Sequence, residues 1–221
     1  MRYRWLLTAV LLAAIVFRIT AAQNPPSALE MGGKKSVTRF FITSRSLGRG
    51  GDLGGLAGAD AHCQALAKRE GSGDHTWHAY LSTMATGATP AVNARDRIGK
   101  GPWYNALGDR IAVNVEQLHS GKNAIDVNNA VTERGDPVKL EVHDMLTGSR
   151  PDGTAYPGPG DFTCSNWTSG SRGRAQVGHF DGMGADARER SWNSAHASRG
   201  CTRNDFAATG GSGLFYCFAI D

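Results

Sequence analysis

Four cysteines, Cys63, Cys164, Cys201 and Cys217, constrain this 221-residue chain more than any other feature. An even number of cysteines reads as disulfides when a chain is exported, and an export signal is legible at the N-terminus. Met1-Arg-Tyr-Arg4 is basic, Trp5 to Phe17 is an apolar run broken only by Thr8, and Ile19-Thr20-Ala21-Ala22 supplies small residues. This is the layout of a secretory signal peptide, and the run is shorter than the ~20 residues a bilayer span needs. Residues 1–22 are therefore read as signal peptide, 23–37 as a flexible leader rich in Pro, Gly and Lys, and 38–221 as one domain. The expected location is the periplasm, an outer surface or the extracellular space, with no membrane span after signal removal. Arg18 just beyond the run leaves an uncleaved anchor as the alternative. No C-x-x-C spacing occurs and only His62 adjoins a cysteine, so a zinc knuckle is not expected. Three disulfide pairings are possible.

Periodicity places two of the cysteines. Ala59, Cys63, Leu66 and Ala67 fall at i, i+4, i+7 and i+8, one stripe of a helix over 58–70. Lys68 and Arg69 suit its last turn and Gly71 its end. Gly213-Leu-Phe-Tyr-Cys-Phe-Ala-Ile220 reads as a buried terminal strand carrying Cys217. Val37–Thr43 and Trp77–Ser82 read as further strands, Ala91–Ile98 as a second helix, and Arg110–Val115 as a short strand. From His119 to Arg190 the chain is mostly Gly, Ser, Asp, Asn and Pro, with apolar islands at Leu140–Val142 and Ala175–Val177. A stretch this long without regular structure is usually functional or disordered; here a loose recognition surface is expected. Pairing Cys164 with Cys201 would brace it, and pairing Cys63 with Cys217 would tie first helix to last strand. This nested arrangement is the expectation.

Charge and motifs remove several function classes. The formal charge of +4 comes from 24 Lys and Arg against 20 Asp and Glu. Arg2, Arg4 and Arg18 lie in the first 22 residues, which hold no acid, so the rest of the chain is near neutral. A nucleic-acid partner needs a cationic surplus and is not expected. No Gly-x-Ser-x-Gly, His-Glu-x-x-His, phosphate-loop or dinucleotide fingerprint occurs. Gly210-Gly-Ser-Gly213 precedes a strand and reads as a turn. The chain is read as a non-enzyme without cofactor. Its seven His show no metal-ligand spacing and read mostly as surface or turn residues.

A Cys on the first helix, a Cys in Phe215-Tyr-Cys-Phe218 and two between resemble the C-type lectin-like domain. Ser165-Asn166-Trp167 resembles that family's Asn-Trp element, and Trp192-Asn193-Ser194 its Trp-Asn-Asp element. Trp77-His-Ala-Tyr-Leu-Ser82, Gly101-Pro-Trp-Tyr-Asn-Ala-Leu107 and the placement of Cys164-Ser-Asn-Trp167 are similar to the endostatin branch. The resemblance covers about Arg39 to Ala219. It implies an α+β, C-type lectin-like fold with small antiparallel sheets, two helices, a long irregular loop region and two nested disulfides.

The departures bear on chemistry. Family members that bind Ca²⁺ use carboxylates after the Asn-Trp element and the Asp of Trp-Asn-Asp. Here Thr168-Ser-Gly-Ser-Arg-Gly173 and Ser194 stand in those places, and Ca²⁺ wants six to eight oxygens. Asp152, Asp161, Asp181 and Asp186 are expected to cap turns. The zinc and heparin binding of the endostatin branch do not carry over, because the leader has no His and the chain no basic surplus. What remains is Ca²⁺-independent recognition of carbohydrate or a surface glycoconjugate, with an adhesion or matrix-type protein-interaction module as the alternative. The expected ligand-binding residues are Asn166, Trp167, His179, Asp181, Trp192, Asn193 and His196. Indole rings can stack on sugar faces while amides orient hydroxyls; both Trp could equally be core anchors. Asn166-Trp-Thr168 also has the form of an N-glycosylation sequon.

Overall fold

A computed structural model describes residues 35–221; the expected signal peptide and residues 23–34 of the expected leader lie outside the described residues. The strands are β1 Phe40–Ile42, β2 Trp77–Ala79, β3 Trp103–Tyr104, β4 Arg110–Ala112, β5 Asp144–Leu146, β6 Gln176–His179, β7 His196–Ala197 and β8 Gly211–Ala219. The helical segments are α1 Gly55–Arg69, α2 Val115–His119, α3 Cys164–Trp167 and α4 Arg203–Ala207. The class is α+β, with one mixed sheet in the order β1-β8-β5-β6-β7, β2 pairing with β8 off that path, and a separate β3-β4 ribbon.

β8 is the axis. Its C-terminal half pairs antiparallel with β1 (Phe40 opposite Phe218) and with β2 (Ala79 opposite Cys217). Its N-terminal half runs parallel to β5, with Leu146 opposite Phe215. Side chains alternate across a strand, so Phe215, Cys217 and Ala219 enter one core, and Leu214, Tyr216 and Phe218 enter another on the opposite face. A strand covered on both faces reads as a continuous apolar run, which is how 213–220 reads. The first core holds α1, Trp77, Trp167, Phe206 and all four cysteines. The second holds Tyr80, Trp103, Phe180, Trp192 and the β4 and α2 residues Ile111 and Leu118.

α1 buries Ala59, Cys63, Leu66 and Ala67, the stripe expected from spacing. Cys63 is bonded to Cys217 and Cys164 to Cys201, the nested arrangement. Several expectations need correction. Ala91–Ile98 is not a helix but a single 3-10 turn, Ala94–Asp96. The backbone N–H groups of Val92 and Arg95 go to Thr83 and Gly153, not to the fourth residue back, so no helical ladder starts. The main sheet is mixed, not antiparallel, because β5 runs parallel to β8. Nor is 119–190 a loose surface: β5 and β6 lie within it and are fully buried. Leu140–Val142 is a 3-10 turn, and Gln176-Val177 of the second island opens β6.

The end of the leader is also tied down. Ser36 donates its backbone N–H to Asp74 at 2.7 Å, and Lys35 pairs with Asp221. Asp221 further accepts from the backbone of Thr76 at 3.0 Å and lies 3.2 Å from His75 Nδ1. Burial pushes the Asp221 carboxyl up, but Lys35, Thr76 and His75 outweigh it and hold it well below the usual carboxylate range. A depressed acid adds stability that is complete above its unfolded pKa and is lost as pH falls toward the folded value. Because the carboxyl is partly exposed, Asp221→Asn is expected to cost no more than about 1 kcal/mol at pH 7. Urea titrations should show the difference from wild type shrinking from about pH 4 downward. Replacing both Cys63 and Cys217 by Ser is expected to cost ~2–5 kcal/mol in the same assay.

Candidate functional site

Asn166 and Trp167 belong to a strained turn. Cys164, Ser165, Asn166 and Trp167 have φ of 48, 55, 56 and 66°, four consecutive non-glycine residues in the left-handed region. That conformation costs an L-residue ~1–2 kcal/mol, so it persists only where surroundings over-determine it. They do. Asp161 accepts from the backbones of Thr163 and Ser165, both at 2.9 Å. The Asn166 amide donates to Met84 O at 3.0 Å and accepts from Met84 N at 2.8 Å, clamping a distant segment. Trp167 is fully buried and its Nε1 donates to Ser82 O at 2.8 Å. Its ring is a core anchor and presents no face to a sugar, which corrects the stacking expectation for this residue.

Trp192 and Asn193 are likewise interior. The Trp192 ring packs on Tyr80 at 4.7 Å and Tyr216 at 5.2 Å. Asn193 Nδ2 donates to Tyr80 Oη at 2.9 Å and to the carbonyls of Arg150 and Pro151. Tyr80 Oη in turn lies 2.7 Å from His119 Nε2, and His119 Nδ1 faces Val115 O. A carbonyl only accepts, so Nδ1 carries the hydrogen and Nε2 accepts from the tyrosine. Burial lowers the pKa of His119, which suits that neutral role. Asn193 thus braces the loops over the second core, and with Trp192 it also lines a cleft of ≈ 550 Å³ beside His119, Arg188 and Arg190. Asp152, Asp161, Asp181 and Asp186 each accept backbone N–H groups from residues two to four further on, as turn caps do.

His179 and His196, in contrast, meet in space. Asp144 on β5 is the direct cross-strand partner of His179 on β6, and His196 on β7 pairs with Val177, two residues along β6. Residues two apart share a face and opposed residues sit side by side, so Asp144, His179 and His196 point the same way. His143 joins from the turn just before β5. The β5–β8 register shifts between Asp144 and Met145, an irregularity of the kind that re-aims a side chain. From Asp144 Oδ1, the Nε2 atoms of His179, His143 and His196 lie at 3.1, 3.4 and 3.4 Å. The Nε2 atoms of His179 and His196 are 3.0 Å apart. His143, read with most of the other His as a surface or turn residue, here joins the expected pair His179 and His196. Asp181, expected here, sits at the margin, 3.8 Å from His143 Nδ1.

The electrostatics centre on Asp144. Burial alone would push its carboxyl up, but His179 and His196 outweigh it and hold it below its ordinary value. Burial opposes a proton on His179, yet Asp144 raises its pKa overall; contact with Asp144 raises that of His196 as well. Gly178 is required between them: a Cβ there would come within 1.9 Å of Trp192 O, which crosses behind the strand.

His196 also lines a cleft of ≈ 330 Å³ with Pro151, Tyr156, Phe162, Gln176, Arg188 and Ser194. Tyr156 and Phe162 stack at 4.4 Å, and Arg174 lies over the Phe162 ring at 4.9 Å. Tyr156 Oη is 3.1 Å from Ser194 Oγ, to which Gln176 Nε2 donates at 3.4 Å. None of Tyr156, Phe162 and Gln176 was singled out from sequence. The half-buried aromatics in a Gly- and Pro-rich stretch were the available signal. The chain matches no protein-family model and no curated protein sequence.

Trp167→Ala is expected to cost ~3–5 kcal/mol, the range for a buried aromatic, measured by chemical denaturation. Ser165 is exposed and its φ of 55° suits glycine. Ser165→Gly is therefore expected to stabilise by up to about 1 kcal/mol, the left-handed cost relieved less the added unfolded-chain entropy.

Proposed function

We propose that this chain is an exported binding protein of C-type lectin-like fold that recognises carbohydrate or a surface glycoconjugate without Ca²⁺. The fold reading is supported by the nested disulfides, by α1 tied to the terminal strand, and by β1 pairing with β8 so that both ends of the domain lie together. Two disulfides are compatible with export. Among the described residues no helix is long and apolar enough to cross a membrane.

One observation carries the ligand reading. The stacked Tyr156 and Phe162 stand at a cleft whose floor offers the Gln176 amide and the Ser194 hydroxyl, with Arg188 at the exposed side. An aromatic wall with a few convergent polar groups is the composition of a small polar-ligand site, and the C–H faces of sugars suit such a wall. The polar groups hydrogen-bond to one another, an arrangement suited to holding hydroxyls. Recognition is thereby moved from Trp167 and Trp192 to this cleft, with His196 the one residue shared with the sequence reading.

The test is a glycan array on the oxidised full chain, with and without added Ca²⁺. Sugar binding unchanged by Ca²⁺, and weakened at least about tenfold by Tyr156→Ala with an unaltered thermal midpoint, is the expected result. Phe162→Leu should weaken it too, since it keeps bulk but removes the ring. A silent array, or binding indifferent to both substitutions, overturns the reading and leaves the protein-interaction alternative.

A further inference from the structure

We propose that the cluster at the β5–β6–β7 end of the sheet is a binding site for a divalent transition metal of the zinc class. Its ligands are one oxygen of Asp144 and the Nε2 atoms of His179, His196 and His143. The site is distinct from the sugar cleft in chemistry, although His196 stands at the boundary of both.

Backbone carbonyls set the tautomers of all three rings. Nδ1 of His143 faces Leu140 O at 2.9 Å, Nδ1 of His179 faces Met183 O at 2.9 Å, and Nδ1 of His196 faces Ala197 O at 3.2 Å. Each carbonyl can only accept, so each Nδ1 holds a hydrogen and each neutral ring turns its lone pair outward on Nε2. A backbone carbonyl behind the far nitrogen is the second shell that metal-ligating imidazoles use. Three such lone pairs converge on one carboxylate oxygen.

The distances fit an ion. A tetrahedral centre with bonds of ~2.0–2.1 Å has ligand atoms about 3.3–3.4 Å apart. Asp144 Oδ1, His179 Nε2 and His196 Nε2 form a triangle with edges of 3.0, 3.1 and 3.4 Å, one face of such a tetrahedron. His143 Nε2 is 3.4 Å from Asp144 Oδ1 on the partly exposed side, and a ligand atom of His143 lies within 4.8 Å of those of Asp144 and His179, so a small swing of this ring would bring it in as the fourth ligand. Two imidazole nitrogens 3.0 Å apart repel unless a proton or a cation lies between them.

Asp144 itself is the independent pointer. Its side chain is 2% exposed and neither carboxylate oxygen accepts a hydrogen bond from the described residues. The imidazole nitrogens beside it are close enough to donate, but with Nδ1 already carrying a hydrogen an Nε2 can do so only when its ring is cationic. A buried carboxylate in that position is costly unless a positive charge meets it. Three imidazoles and one carboxylate select zinc and its neighbours over Ca²⁺ or Mg²⁺, which want oxygen. The His143 and His196 side chains are 31% and 27% exposed, so an ion can reach the site from solvent.

The ion would join β5, β6 and β7 with the turn before β5. The experiment uses the tag-free, oxidised full chain stripped of metal by chelation and dialysis, and titrates it calorimetrically with Zn²⁺. One ion per chain is expected, with a thermal midpoint raised by about 5–10 °C at a hundredfold excess over Kd. Co²⁺ should give the intense visible bands of a four-coordinate centre, lost on adding Zn²⁺. His143→Gln, on the exposed side, should weaken Zn²⁺ binding at least tenfold, and Asp144→Asn or His179→Gln by about a hundredfold or more. His62→Gln, remote from the cluster, should change nothing.

Failure to bind Zn²⁺ overturns the proposal. So does binding unaffected by His143→Gln and His179→Gln together, or a pale six-coordinate Co²⁺ spectrum. The Co²⁺ spectrum needs only the unaltered protein, so the proposal stays testable if a buried variant does not fold. No sugar enters these measurements, and a silent glycan array leaves their outcome untouched.

Discussion

The pairing of β8 with three other strands is the constraint on which the rest of the molecule depends. A nine-residue strand with both faces covered leaves almost no freedom in register: a one-residue slip would exchange the two cores, moving Phe218 and Tyr216 to where Cys217 and Phe215 belong. The Cys63–Cys217 bond removes that freedom covalently. With β8 fixed, β1 and β2 flank its second half, β5 flanks its first half, and β6 and β7 follow outward from β5. The β5–β6–β7 end of the sheet, where the histidines meet Asp144, is thus built outward from a covalently fixed strand.

What could be read from the residues follows from how local their signals are. The α1 stripe is written within nine positions, 59–67, and the structure buries those four residues. β8 announces itself because strands covered on both faces need an unbroken apolar run. The nested disulfides were legible once those two elements were placed. β5 was not, since Asp144-Met-Leu146 is three residues long and begins with a charge. Its partners supply the stabilisation, through ladders to β6 on one side and β8 on the other. Ala91–Ile98 failed for the complementary reason. Its composition tolerates a helix, but its backbone groups are engaged by residues far along the chain.

The site was only half legible for the same cause. His179 and His196 drew notice from their neighbours in sequence, Asp181 and Trp192, and both do reach the cluster. Asp144, which holds the cluster together, could not be found without β5, because its relation to His179 exists only as a cross-strand pair. Spacing rules for metal ligands detect pairs on one helix or in one loop; ligands gathered across three strands leave no such trace. The family resemblance led the other way, toward Asn166, Trp167, Trp192 and Asn193; Trp167 is wholly enclosed, while the other three brace turns and core and also line clefts.

The left-handed turn has a consequence for the sequon at Asn166-Trp-Thr168. Oligosaccharide attaches to the asparagine side-chain nitrogen, the atom that donates to Met84 O while the oxygen beside it accepts from Met84 N. A glycan added during synthesis would deny the turn this clamp, and once the turn has closed the amide is no longer free for a transferase. The tripeptide is therefore a folding element that happens to spell an acceptor, and passage through a eukaryotic secretory pathway would set glycosylation and folding in competition at this one residue.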